Sequence, residues 1–228
     1  TYLLKGDADG ATKDVYMNGH DAGLKGTLTD GATKATFKVA AGALDDGKKV
    51  TIGGKEYTIG SKTADVQDKV NGLNASGDKV TVNGKTYTYC KTTDTTPGNK
   101  TPDAPGWFAD DNTTTKADTI TIASGDKVTV ASADGKTKGS YTAADMTDGV
   151  SNSDSSVISA EKAISLMKGE LTTANNIGAT KTAATIVDGT TYDSDTGATF
   201  TINKGTAEVA EKLNFNLHVG SDADMTNK

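Results

Sequence analysis

Arginine is absent from this 228-residue chain, and cysteine (1), tryptophan (1), histidine (2) and proline (3) are nearly so. Each gap closes off a class of chemistry. Without arginine, and with a pI near 4.9, no ordinary phosphate-neutralising surface can form, so nucleic-acid binding is excluded. Cys90 stands alone, and His20 and His218 lie far apart, so a zinc cluster, a CxxC pair and an HExxH helix are all missing. GxSxG and GxxxxGKS/T are missing too, which removes the nucleophile elbow and the P-loop. No apolar run approaches membrane-spanning length, and Thr1 does not open a charged and then apolar leader, so neither a membrane span nor a cleavable signal is expected. Beginning at Thr rather than Met, the chain reads as a piece of something longer.

Large apolar residues are scarce as well. Leu, Ile, Val and Phe make up about 16% of the chain, below the roughly 20% that normally separates folded from disordered sequences. A net charge of only -6 argues the other way, because self-repulsion is weak. What is present is 38 Thr, 28 Ala and many β-branched residues, suited to thin strands around small cores. The acid is lopsided, 25 Asp against 5 Glu, and all 24 basic residues are Lys. Asp, Asn and Gly suit turns, whereas Glu and Arg suit helices. The composition predicts an α+β, β-rich chain, with hairpin-built small sheets that each carry one or two short packed helices.

Asp7-Ala8-Asp9-Gly10, Asp193-Ser194-Asp195 and Asp222-Ala223-Asp224 have the alternation that opens a calcium loop. None continues to a Glu at position 12. Asp beside Gly is what tight turns use in any case. Asn74, Asn99 and Asn112 each begin Asn-x-Ser/Thr, matches that a Thr-rich chain produces by chance. No residue is assigned a catalytic, cofactor-binding or metal-ligating role, and no cofactor is expected.

The clearest internal feature is a repeat. Lys49-Val50-Thr51-Ile52-Gly53-Gly54-Lys55-Glu56-Tyr57-Thr58 is matched by Lys79-Val80-Thr81-Val82-Asn83-Gly84-Lys85-Thr86-Tyr87-Thr88. Each is an alternating arm, a Gly-Gly or Asn-Gly pair and a second arm, which predicts a hairpin. Looser versions occur at Asp126–Thr142, turning near Asp134-Gly135, and at Ala184–Ile202, around Asp188-Gly189 and Thr196-Gly197. A short helix is expected within Ser61–Leu73, capped by Thr63 and buried along Ala64 or Val66, Val70 and Leu73. A longer one is expected over Ser159–Asn175, buried along Ala160, Ile164, Met167 and Leu171 and weakened by Gly169. Thr92 to Thr115 holds Pro97, Pro102, Pro105 and Trp107 with little periodicity. It reads as a long connection whose Trp107 and Phe108 fold over a core, with a binding loop as the alternative, and a change of subdomain is placed there. Cys90 is expected to be shielded, on the strand face opposite an outward-pointing Tyr87 and Tyr89.

Val50–Leu73, a hairpin followed by a Ser/Thr-led helix ending in Asn-Gly, resembles the small repeat of the variable regions of flagellins and hook-associated proteins. Ala198–Leu213 resembles a second copy. Tyr2-Leu3-Leu4-Lys5-Gly6 is similar to the Leu-Leu-x-Gly stretch that closes the flagellin helical stem. Leu213-Asn214-Phe215-Asn216-Leu217-His218-Val219-Gly220-Ser221-Asp222-Ala223-Asp224-Met225-Thr226-Asn227-Lys228 is similar to the strand that follows it in some gut-type flagellins. The match covers the two ends and the short repeats and leaves most of the middle unmatched. The polymerising terminal helices are not in this sequence, and Cys90 departs from the family's usual lack of cysteine.

The resemblance implies a surface-exposed variable domain of a bacterial flagellar filament subunit, inserted in the stem hairpin, extracellular, structural and not an enzyme. It implies two subdomains: residues 1–91 with 182–228 near the stem, and 92–181 distal. The implied partners are other flagellin subunits, through terminal helices outside this sequence, and host receptors, antibodies or phage at the outer face; nucleic acid and membrane are not among them. The fragment alone should not assemble. The competing readings are a bacterial surface adhesin or S-layer β-module, and a secreted hydrolase with paired Asp, which would need a carboxyl of raised pKa.

Overall fold

The computed structural model describes residues 2–4, 12–17, 20–27, 34–111 and 114–208. Four strands come first: β1 (Tyr2–Leu4), β2 (Thr12–Met17), β3 (His20–Thr27) and β4 (Lys34–Val39). The repeat hairpins supply β5 (Lys49–Ile52), β6 (Lys55–Ile59), β8 (Lys79–Val82) and β9 (Lys85–Cys90). Between them lie β7 (Ser61–Lys62) and helix α1 (Thr63–Asn71). Then follow β10 (Gly106–Ala109), β11 (Lys127–Ala131), β12 (Lys138–Ala144), β13 (Met146–Thr147), β14 (Val150–Ser151) and β15 (Val157–Ile158). Helix α2 (Ala160–Asn175) and strands β16 (Thr185–Gly189) and β17 (Ala198–Asn203) complete the described chain. The fold is α+β and β-rich, as the composition predicts.

Three sheets result, in the orders β1-β2-β3-β4-β17-β16, β13-β14-β15-β6-β5 and β10-β9-β8-β11-β12-β7. Most pairs are antiparallel; β15 on β6 and β12 on β7 are parallel. Both repeat hairpins turn on two residues with positive φ, Gly53 (58°) with Gly54 (82°) and Asn83 (50°) with Gly84 (87°). Two left-handed residues match the twist of the flanking strands, so these pairs fix the register. The Asp134-Gly135 turn also lies where expected, between β11 and β12. Asp188-Gly189 instead ends β16, beside a register shift at Val187/Gly189, and the connection to β17 closes at Thr196-Gly197.

The apolar residues fall into two clusters. In the first, β4 buries Ala35, Phe37 and Val39 opposite Ile202, Phe200 and Ala198 of β17, and the Phe37 and Phe200 rings stack at 5.5 Å. Helix α2 joins this cluster through Ala163, Ile164, Met167 and Leu171, together with Val50, Ile52, Ile59 and Ile158. Ala163 thus takes the place in the stripe expected of Ala160, which is only part-buried against the cluster. In the second, Val66, Val70 and Leu73 of the α1 region pack with Val80, Trp107, Ile122, Val128, Val130 and Ala143. Burial of such side chains stabilises by about 1.5–3 kcal/mol each, so even thin cores hold. Residues 92–181 supply both clusters: Trp107 and Val128 lie in the second, Ile158 and α2 in the first.

The helix starts divide. Ser159 caps α2, its hydroxyl accepting from the Lys162 N–H at 3.1 Å. The cap expected at Thr63 is not made. Thr63 is the first helical residue, Lys62 precedes it without a side-chain cap, and the Thr63 hydroxyl is buried with no hydrogen-bond partner. The parallel pairing of Ser61 and Lys62 with Ala143 and Ala144 carries strand geometry up to Lys62 and moves the helix start by one residue.

Gly169 lies on the exposed face of α2, and an added Cβ there would meet nothing within 4 Å. Gly169→Ala should therefore stabilise the protein by up to about 1 kcal/mol through helix propensity alone. Urea unfolding compared with the parent chain measures it; an unchanged or lower midpoint would contradict the helix packing described.

Candidate functional site

Where the two clusters meet, four segments bring together Asp45, Asp46, Ser61, Lys69, Tyr141, Thr142 and Tyr192. Asp46 sits in the turn between β4 and β5. Its Oδ1 accepts from the Ser61 hydroxyl at 3.0 Å, and its Oδ2 accepts from the Thr142 N–H at 2.7 Å. Asp45, next in the chain, accepts from the Tyr192 phenol at 2.7 Å, while that phenol oxygen accepts from the Leu44 N–H at 3.2 Å. The Tyr192 N–H donates to Glu161 at 3.1 Å, tying the same loop to the first turn of α2. On the other side, the Lys69 ammonium lies 5.2 Å from the Tyr141 ring centre.

The electrostatics follow from burial. Loss of water pushes the Asp46 carboxyl above its ordinary range, against the pull of the Thr142 N–H, the Ser61 hydroxyl and Lys69, with Asp45 adding to the rise. Burial, then the Asp45 hydrogen bond, pushes Tyr192 up to about 12. Burial also raises Tyr141, reinforced by Asp46 and Asp45. A raised carboxyl beside a second one is the feature a hydrolase would need. Here, however, both oxygens of Asp46 already accept protein donors and Asp45 holds a tyrosine. The arrangement clamps segments together.

Other aspartates do the same work locally. Buried Asp78 accepts from the Ala75 and Ala133 N–H groups, both at 2.8 Å, and so joins the turn before β8 to the β11–β12 connection. Asp126 accepts from the Ala123 N–H and the Asn83 amide, both at 2.8 Å. Asp193 Oδ1 accepts from the Asp195 and Thr196 N–H groups at 2.9 and 3.0 Å, which makes Asp193-Ser194-Asp195 a turn. These bonds hold the Asp193 carboxyl below its usual range. Among the described residues no three His, Cys, Asp or Glu side chains gather as metal ligands, and no helix is long and apolar enough to cross a membrane. Sequence reading missed Asp45, Asp46 and Asp78, since Asp-Asp and Gly-Asp pairs recur through the chain and do not mark which carboxylates join distant segments.

The remaining candidates separate clearly. His20 lies in β3, opposite Met17. His218, Asp7, Asp9, Asp222, Asp224 and Asn112 lie outside the described residues, as do the Lys5-Gly6 end of the first stem-like segment and the whole of Leu213–Asp224. Asn74 and Asn99 are exposed, Asn99 with φ 56°. Trp107 is buried edge-on to Tyr89 at 5.3 Å, and Phe108 is fully buried, so the aromatics serve a core as expected; they do so from a strand, β10, set within the long connection.

Cys90 is buried, with 3% of its surface exposed. The faces, though, are not those expected. Tyr87 and Tyr89 pack against the second cluster, while Cys90 shares the opposite face with Phe108. That face is covered: an added Cβ on Gly106, the register partner of Cys90, would collide with Ala117. Burial first, and Asp94 second, push the thiol up.

Labelling of Cys90 by a thiol reagent at neutral pH should be slow in the native protein and fast after denaturation, because little thiolate forms there. Equal rates would contradict the covered face. At the junction, Asp46→Ala should cost about 1–3 kcal/mol by leaving the Thr142 N–H unpaired. A folded-state pKa raised above the unfolded value gives a contribution that is full at low pH and lost as pH rises through the folded pKa. Asp46→Asn keeps an acceptor without the charge, so it should be at least as stable as the parent at pH 7, with its advantage shrinking toward pH 4. Urea unfolding across that range would contradict this if the advantage grew on acidification.

No protein-family model matches the chain, and neither does any curated protein or solved structure. The functional argument therefore rests on the residues themselves.

Proposed function

We propose that this chain is the surface-exposed variable domain of a bacterial flagellar filament subunit, extracellular and structural, with no catalytic role. The observation that supports the reading is the unit Lys49–Asn71. Hairpin β5–β6 runs through the short β7 directly into α1, the order of elements on which the resemblance rests. Two further features agree with it. Strand β1, which contains the Leu-Leu pair, lies at the edge of its sheet, with β2 as its neighbour among the described residues. Thr, Ser and Lys line the outer strand faces, such as the Ser140, Thr129, Thr81 and Thr86 row that crosses four adjacent strands, exposed at Ser140 and Thr129 and half-buried at Thr81 and Thr86. Such a surface stays soluble when displayed at high density. In a filament the domain would be held by neighbouring subunits through terminal helices. Antibodies, phage or host receptors would meet its outer face, where copy number multiplies weak contacts.

Antibodies raised against residues 1–228 and visualised by immunogold microscopy on the source cells test the reading. Label along filaments, lost when the filaments are sheared off, is expected. Label that stays on the wall of sheared cells would overturn the proposal in favour of an adhesin or S-layer module.

A further inference from the structure

The two hydrophobic clusters share no residue, and the chain passes between them at two neighbouring points. The second cluster is drawn from residues 61–144, an unbroken stretch; the first is drawn from what precedes and follows it. The crossings are Gly60, between β6 and β7, and Asp145, between β12 and β13. They lie side by side, since Ala143 and Ala144 pair with Ser61 and Lys62, and an added Cβ on Gly60 would sit 3.2 Å from the Thr142 carbonyl. Among the described residues, no strand or helix of one body packs extensively on an element of the other. A body entered and left through two adjacent strands, without a broad apolar interface, is free to rotate unless something holds it.

Two side-chain hydrogen bonds that reach from one body to the other end on one carboxylate, and at the second crossing the Asp145 N–H donates to the Ser124 hydroxyl at 3.1 Å. The Ser61 hydroxyl comes from β7 and the Thr142 N–H from β12, so Asp46 grips both of the inserted body's boundary strands from the loop before β5. That loop is itself fixed to the first body: the Gly47 N–H donates to the Ile59 carbonyl at 2.8 Å, the Gly42 N–H to the Ser194 carbonyl at 2.9 Å, and Tyr192 holds Asp45. We propose that residues 61–144 form a hinged body that swings about Gly60 and Asp145 and is latched by the Asp46 carboxylate through Ser61 and Thr142. The latch sets the angle at which one half of the molecule is carried by the other.

The test uses the full chain with Cys90→Ser and two spin labels, at Lys85→Cys on β9 and Ser165→Cys on α2, both exposed positions in different bodies. The distance distribution between labels should be narrow. Asp46→Ala should lose that narrow distribution while the circular dichroism of the fold is kept, and Asp46→Asn should restore it. An Asp46→Ala distribution as narrow as the parent's, or a parent distribution already broad, would overturn the latch. Should Asp46→Ala fail to fold, Ser61→Ala decides by itself, because it removes one bond and leaves the carboxylate: a broader distribution upholds the proposal and an unchanged one overturns it.

Discussion

The structure depends on aspartate carboxylates that accept hydrogen bonds from backbone N–H groups in turns. With about 16% large aliphatic and Phe residues, apolar burial is spread thinly over the seventeen short strands of the described residues. Connections between short strands carry backbone donors outside the ladders, and an unpaired buried donor costs about 1–3 kcal/mol. Asp answers that need because its one-carbon stem reaches N–H groups two or three residues away, as Asp134, Asp154 and Asp193 do, or those of a neighbouring loop, as Asp78 does. The excess of Asp over Glu thus serves the turns of this chain, and the calcium-like alternation at Asp193-Ser194-Asp195 is one of them.

That dependence also accounts for the two small cores. Each cluster is closed by one helix laid on a sheet by a single narrow stripe: Val66 and Val70 for α1, and Ile164, Met167 and Leu171 for α2. Where the stripes end, polar links take over. Asp46 binds β7 and β12, Tyr192 binds Asp45, and Gln67 of α1 accepts the Ile122 N–H at 2.8 Å. The junction between the cores is therefore polar, and the half-buried Asp46 carboxylate there accepts from both boundary strands.

Much of this was legible from local pattern. The Gly53-Gly54 and Asn83-Gly84 pairs specify left-handed turns, and the four-three-four spacing of α2 specifies a helix, because both signals are complete within a few residues. The failures are those of tertiary context. Thr63 looks like a cap, yet parallel pairing of Ser61 and Lys62 carries the strand to its doorstep and buries its hydroxyl. Tyr87 and Tyr89 alternate correctly with Thr88 and Cys90, but alternation cannot say which face a helix covers. The segment 92–181 is one stretch in sequence, yet its residues close two different cores. No periodicity could show that α2 returns to the strands of residues 35–59. Asp46 was invisible for the same reason, since its two donors lie 15 and 96 residues away.

The titration behaviour of these acids separates their two roles. Asp94, Asp134, Asp154 and Asp193 are fully exposed, and hydrogen bonds to their charged forms hold their carboxyls below the usual range. Their stabilising contribution is present above the unfolded pKa and is lost as pH falls through the lowered one. Asp46 has the opposite sign, because water is removed from it faster than its donors compensate. Acid therefore weakens the turns at the outside of the molecule while the charge strain at its centre relaxes. Local carboxylates thus hold each loop to itself, while the half-buried Asp46 links β7 and β12 to the loop before β5.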